Sequence, residues 1–558
     1  MYCPFDFDPC LGVVPVFVNA GAAVLPAILA ALASVITVLL SPRRLARLCV
    51  RKPYVPVLVI GCLVGAYFLG TWLWSTDDGR QPAKASDGWL AAASPSGTDW
   101  AKVAIEILRQ EERARNRAEI ETDAPPANDV PPANYVAATQ AASATIYRGD
   151  ASRCGYGGGG GPLKLTLLWD FAEEDTMVLS SPAVRDGRVY AASCYLDPPG
   201  SYGAIFCLDA ATGQEQWYID VFDGGPSGQE KEFKGFFSSP AVSADGKYLV
   251  IGQGLHADKD CELVCLNTED GSVRWTVATP LHIEGSPAIE GDVVVAGAGA
   301  IEDMNTRLPV GDPGFVLGVR LSDGELLWKH PVADPESSPA MAEGVVYVGS
   351  GFNGSAVVAL RAEPEDELKK QGLDRVLWKT ATPHPATGTI TLTDRLVLIG
   401  CGNADYVFAS GNPQGVVIAL DRDSGEVRWT AAMPDTVLGA IAVRDGKAIC
   451  PVRNGEVIAL DVNDQGKVLW RQEVRENAPV MAAAAFTGTH VYAVTRDGYL
   501  VVLDAADGSV LESHYLNAKG KPGEQGLSVS SPVVVDGRLC VGSETGGLRC
   551  YVGKERTP

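Results

Sequence analysis

Seven tryptophans recur along this chain behind nearly the same residues, and that recurrence narrows the fold more than any other feature. Cys207-Leu208-Asp209-Ala210-Ala211-Thr212-Gly213 leads to Trp217, and Ala419-Leu420-Asp421-Arg422-Asp423-Ser424-Gly425 leads to Trp429. Looser copies end at Trp275, after Asp270-Gly271, at Trp328, after Asp323-Gly324, and at Trp470, after Ala459-Leu460-Asp461. Trp378 follows Ala359-Leu360 and a charged insertion. Each copy has an upstream half, such as Ser181-Pro182-Ala183-Val184 before Gly187-Arg188-Val189-Tyr190, and Ser-Pro returns at Ser239, Ser286, Ser338 and Ser531. Degenerate versions near Gly388, Gly439 and Ala482 bring the upstream halves to eight. Self-similarity at a fixed period marks a repeat architecture.

Between the halves lie short β-branched runs such as Val345-Val346-Tyr347-Val348, punctuated by Asp-Gly and Asn-Gly turns. Short strands at even spacing with hairpin signals predict antiparallel sheet. One such unit cannot bury its faces alone, so neighbours stack radially into a propeller. Each Trp is expected between adjacent blades, where burying about 150–250 Å² of indole contributes up to roughly 4–6 kcal/mol. The glycines Gly213, Gly271, Gly324, Gly425 and Gly508 supply the positive φ of tight blade turns. The seventh copy has Glu512 in place of Trp, and the eighth, Gly547-Leu548-Arg549-Cys550-Tyr551, ends before any Trp strand. The spare strand lies at the other end, in Leu167-Leu168-Trp169-Asp170-Phe171, and is expected to complete the last blade. The predicted fold is all-β, an eight-bladed propeller over residues 163–553, with seven blades as the nearest error.

This pattern resembles the PQQ-like (quinoprotein) repeat family, whose blade signature is Ala-Leu-Asp, Thr/Ser-Gly, then Trp. The resemblance implies one of two functions. Some members are quinone-dependent alcohol or sugar dehydrogenases; BamB-like members bind protein partners and hold no cofactor. The alcohol-oxidising branch commonly carries two adjacent cysteines, a metal and an aspartate base, and this chain has no Cys-Cys pair and no Cys-x-x-Cys-His haem site. Asp258, Asp260 and Glu262 are candidate acids, but the glycine of a calcium loop is missing, so they read as a solvated blade loop.

Other motifs lead nowhere catalytic. Gly349-Ser350-Gly351-Phe352-Asn353-Gly354 is followed by strand-like Ala356-Val357-Val358-Ala359-Leu360, so it reads as a hairpin turn, not a dinucleotide loop. The six histidines are scattered, which argues against a zinc site. Of thirteen cysteines, Cys207, Cys265 and Cys550 share a repeat column with Ala359, Ala419 and Ala459 and read as small buried residues. Cys194 with Cys207, or Cys540 with Cys550, are candidate cross-strand disulfides in an oxidising compartment.

The front of the chain is of another kind. After a short N-terminus (1–12), two uncharged apolar segments, 13–40 and 53–76, each exceed the ~20 residues that span a bilayer as a helix. The loop 41–52 between them holds Arg43, Arg44, Arg47, Arg51 and Lys52, which places it in the cytoplasm and both ends outside. The competing reading, a cleaved signal peptide, lacks both a basic start and a small-residue cleavage site. Residues 77–162 read as a linker with a helix over 98–121 and two Pro-Pro-Ala-Asn repeats whose composition stays disordered. A net charge of −22 excludes nucleic acid as a partner.

The resulting expectation is a bacterial inner-membrane protein, anchored by two helices, with its propeller on the periplasmic side. It acts as a non-catalytic scaffold for envelope proteins, with no cofactor, metal or catalytic residues. The alternative is a membrane-bound dehydrogenase using PQQ and calcium. A third reading is a sensor binding a small ligand in the channel, but the inferred cytoplasmic loop is too small for an effector.

Overall fold

The computed structural model describes residues 144–554, apart from 151–152, 158–160, 174–175, 198–199, 224–229, 257, 302–308, 519–522 and 524–525. The predicted membrane helices 13–40 and 53–76, the segments 1–12 and 41–52, the helix 98–121 and the linker up to residue 143 lie outside the described residues. Among those described, no helix is long and apolar enough to cross a membrane.

Eight antiparallel sheets succeed one another as blades. The first seven span 183–219, 241–279, 288–331, 340–381, 391–433, 442–473 and 485–515. Blade 8 takes three strands from 533–553 and its outermost strand from Leu165–Phe171. That early strand pairs antiparallel with Leu548–Gly553, placing Trp169 opposite Cys550 and Phe171 opposite Leu548. The two ends of the repeat region thus share one sheet, and the ring closes by backbone hydrogen bonding.

Burial follows the repeat. Central strands such as Leu396–Gly402 are buried throughout, whereas outer strands such as Val427–Met433 bury chiefly the Trp and expose most other positions. The small-residue column has a direct steric cause: Cys207, Cys265, Ala359, Ala419, Ala459 and Cys550 each lie opposite a Trp in the cross-strand register. Gly318 holds that place opposite Trp328, where a Cβ would lie 2.2 Å from the indole. In blade 7, where Glu512 replaces Trp, the opposite residue is the larger Val502. The Asp of each signature orders the following turn: Asp209 Oδ1 accepts from the backbone N–H of Ala211 and Thr212 at 3.0 and 2.8 Å.

One assignment changes. Residues 144–150 and 153–157, expected within the linker, belong to the propeller. Ala144–Ile146 adds a strand to the inner edge of blade 3, and Gly155 and Gly157 hydrogen-bond to the innermost strand of blade 8 at Val534. The disorder-prone composition was outweighed by the open strand edges that a propeller presents around its axis.

Candidate functional site

The sequence-marked tryptophans and glycines lie at the seams between blades. Trp169 Nε1 donates to Ala210 O of blade 1 at 3.1 Å, and Trp217, Trp275, Trp328, Trp378 and Trp470 donate likewise to Thr268, Leu321, Ala362, Arg422 and Ala505. Trp429 Nε1 finds no partner among the described residues. The glycines receive the ring of the preceding blade: a Cβ on Gly213, whose φ is +72°, would lie 2.7 Å from Trp169. Gly271, Gly324, Gly425 and Gly508 meet Trp217, Trp275, Trp378 and Trp470 in the same way, as does Gly466 with Trp429. Where blade 4 has a longer insertion, the Arg375 guanidinium covers Trp328 at 4.6 Å.

The Ser-Pro openings form the wall of the central channel. The backbone N–H of Ser181 donates to Ser239 Oγ at 2.9 Å, that of Ser239 to Ser286 Oγ at 3.0 Å, and that of Ser286 to Ser338 Oγ at 2.9 Å. Ala483 donates to Ser531 Oγ at 3.0 Å and Ser531 to Ser181 Oγ at 2.8 Å, which carries the belt across the latched seam. Thr389 and Ala440 occupy the column in blades 5 and 6.

Tyr147, Arg148 and Arg153 reach into this channel. Tyr147 Oη lies 2.6 Å from Ser531 Oγ. Arg153 is fully buried and donates to three carbonyls, those of Tyr147 at 2.6 Å, Pro339 at 2.7 Å and Ile390 at 3.2 Å. Burial lowers its pKa to about 9, so the guanidinium stays charged at neutral pH. Arg148 donates to Ala484 O at 2.6 Å. Beyond the plug lies a cavity of about 60 Å³, lined by Tyr147 and, farther along, by Phe237 and Tyr406, whose rings meet edge to face at 5.0 Å.

Two residues before this column, in seven of the eight blades, stands a side chain that faces this cavity. It is apolar in blades 1, 2, 6 and 8 (Leu179, Phe237, Leu438 and Val529) and threonine in blade 5 (Thr387). In blades 3 and 4 it is Glu284 and Glu336. Two of the scattered histidines join them, and the ligating atoms of His256, His282, Glu284 and Glu336 lie within 4.8 Å of one another. Glu336 Oε1 is 3.0 Å from His256 Nδ1 and 3.1 Å from His282 Nε2. Burial, and then the neighbouring Glu336 charge, push Glu284 up to about 7. Burial opposes charge on His256, yet the Glu336 carboxylate brings it up to about 10, while the two imidazoles hold Glu336 low against its own burial.

The acidic loop differs from its solvated reading. Asp258 is buried and accepts from Ser201 Oγ at 2.5 Å, and Glu262 is buried and pairs with Lys231 at 3.0 Å. Asp260 sits in the turn with φ +53°. None of the nine described cysteines is in a disulfide. Cys540 and Cys550 face each other in register with Sγ atoms 3.2 Å apart, whereas Cys194 and Cys207 belong to separate clusters.

The family model of the outer membrane protein assembly factor BamB matches residues 166–409 and 374–556. The chain belongs to this PQQ-like propeller family. BamB of Yersinia pestis is 25% identical over 364 residues, 62% of this chain and 80% of its own length. The quinoprotein alcohol dehydrogenase PedH of Pseudomonas putida is 24% identical over 286 residues, 48% of this chain and 41% of that enzyme. The quinohemoprotein alcohol dehydrogenase of Comamonas testosteroni shares the fold, with a TM-score of 0.51 at 16% identity over 75% of this chain and 82% of its own. A tricyclic quinone bearing several carboxylates does not fit the cavity of this BamB-family chain. Pockets for ligands of that size are about 300–1,000 Å³, against about 60 Å³ here, and the lining carries Glu284, Glu336 and Asp405 with no lysine or arginine.

Proposed function

We propose that this protein is a non-catalytic scaffold of the bacterial cell envelope, whose propeller binds other envelope proteins through its outer surface. The observation that carries this reading is the match of the BamB family model across the propeller. The relatives it brings are named for assembly of outer membrane proteins. A channel filled by the chain's own Tyr147 and Arg153 supports it too, since what remains for a protein partner is the exterior. Apolar side chains recur one or two residues before the Trp position on outer strands, as Leu326, Leu377, Leu469 and Leu511, and the latch strand adds Leu167 and Leu168. Apolar exposure repeated blade after blade suits protein contact. The two apolar segments at 13–40 and 53–76 would hold the propeller at the periplasmic face of the inner membrane.

The dehydrogenase reading has less behind it. The match to PedH spans under half of that enzyme, and the cavity is small and acidic. The test is in-cell crosslinking of the full chain, followed by stringent purification. The expected result is a defined envelope protein crosslinked to the propeller and lost when Leu469 and Leu511 are both changed to lysine. A quinone absorbance on adding PQQ and calcium, with dye reduction by alcohols or sugars, would reverse the choice.

A further inference from the structure

His256, His282, Glu284 and Glu336 come from three consecutive blades: His256 from a loop of blade 2, His282 and Glu284 from the connection to blade 3, and Glu336 from the connection to blade 4. We propose that these four side chains bind one divalent transition ion of the zinc class, tying the three blades together beside the channel. Two imidazole nitrogens and two carboxylate oxygens suit a borderline ion such as Zn²⁺, whereas Ca²⁺ and Mg²⁺ take oxygen ligands.

The geometry is near what such an ion needs. Donors around a tetrahedral zinc stand roughly 3.4 Å apart for bonds of about 2.0–2.2 Å. Both imidazoles already point at Glu336 Oε1, at 3.0 and 3.1 Å, and all four ligating atoms fall within 4.8 Å. Glu284 meets no hydrogen-bond donor among the described residues and faces a cavity whose lining holds no basic side chain. Two carboxylates and two neutral imidazoles around a divalent cation sum to zero charge, which removes the penalty of crowding two acids in a confined site. His282 is wholly buried, while Glu336 and His256 are 16% and 28% exposed, so the site is fixed yet reachable by an ion. Four protein ligands complete a structural site, with no open position for activating water.

The test uses the full-length chain, solubilised and free of any histidine tag, stripped with a chelator and titrated with Co²⁺ and then Zn²⁺. The expected result is uptake of one equivalent with visible d–d bands, no thiolate charge-transfer band, and displacement of Co²⁺ by Zn²⁺. Glu284→Gln keeps the side-chain shape and should weaken binding by at least about tenfold, and His282→Ala should abolish it, with far-ultraviolet circular dichroism unchanged. Should His282→Ala fail to fold, His256→Gln with Glu284→Gln decides. Absence of saturable uptake, uptake indifferent to these substitutions, or a thiolate signature placing the ion on cysteines would overturn the proposal. The outcome does not depend on whether the propeller binds envelope proteins.

Discussion

At Glu512 a single residue shows how the ring adapts to being closed from two chain ends. At six of the other seven seams an indole N–H donates to the carbonyl of an intact turn in the next blade. At the seam from blade 7 to blade 8 that turn is split, and what it presents is N–H groups. Glu512 accepts from the backbone N–H of Lys164, and from that of Leu165 at 3.0 Å, and meets His514 Nε2 at 2.9 Å. An acceptor is needed there, so the lost Trp is a change of chemistry, not a gap. Glu512→Gln should destabilise the fold by about 1.5–3 kcal/mol at neutral pH, measured by chemical denaturation. Burial opposes ionisation of Glu512, yet His514 and the two backbone donors keep its pKa below the usual value. Its contribution is therefore full above the unfolded carboxylate pKa of about 4.3 and lost as pH falls through the lower folded value, so variant and wild type should converge in acid. The indole column makes the opposite demand: Ala419 lies against Trp429, and Ala419→Ile should overpack it by about 1–3 kcal/mol, whereas Val502→Ile, with no indole opposite, should cost less in the same measurement. The sequence showed the small column and the tryptophans separately; that they are two sides of one contact needed the cross-strand register.

Among elements, the latch strand was legible and the plug was not, for physical reasons. Leu165–Phe171 carries the Trp and the alternation of an outer strand, so counting unmatched halves located its partner. Residues 144–157 carry neither periodicity nor a long apolar run, and Arg148 and Arg153 belong to no repeat motif. Their partners are carbonyls from blades 4, 5, 7 and 8, brought together only by ring closure. The acidic pair was half legible: Glu284 and Glu336 break a mainly apolar column of the repeat, a departure visible once the eight upstream halves are aligned. The two histidines that join them have no repeat position to betray them. Arg153→Met would fill similar space but leave buried carbonyls of Tyr147, Pro339 and Ile390 unpaired, at about 1–3 kcal/mol each when fully desolvated. The expected outcome is a loss of about 3 kcal/mol or more in denaturation, with limited proteolysis cutting within 144–157 before any blade is lost.

For the molecule as a whole, charge and closure set opposing demands. The chain holds 68 acidic and 46 basic residues, and its first 143 residues nearly balance, so the excess falls on the propeller. The visible ion pairs, such as Arg428 with Asp421 at 2.7 Å and Arg471 with Glu456 at 2.7 Å, are largely at the surface. Pairs of this kind contribute about 0–1 kcal/mol each and are screened by salt, so screening them destabilises only slightly. The uncompensated acids repel over the whole ring, and that repulsion is long-ranged when the Debye length is about 30 Å, at 0.01 M salt, and short-ranged at about 8 Å, at 0.15 M. With a net charge of −22, the repulsion outweighs the attraction within the pairs. Raising sodium chloride between those concentrations should therefore raise the thermal midpoint of the full chain, followed by circular dichroism in a buffer free of divalent ions so that site binding does not contribute. A fall in the midpoint would mean that paired charges, and not the acidic excess, dominate the electrostatics of the closed ring.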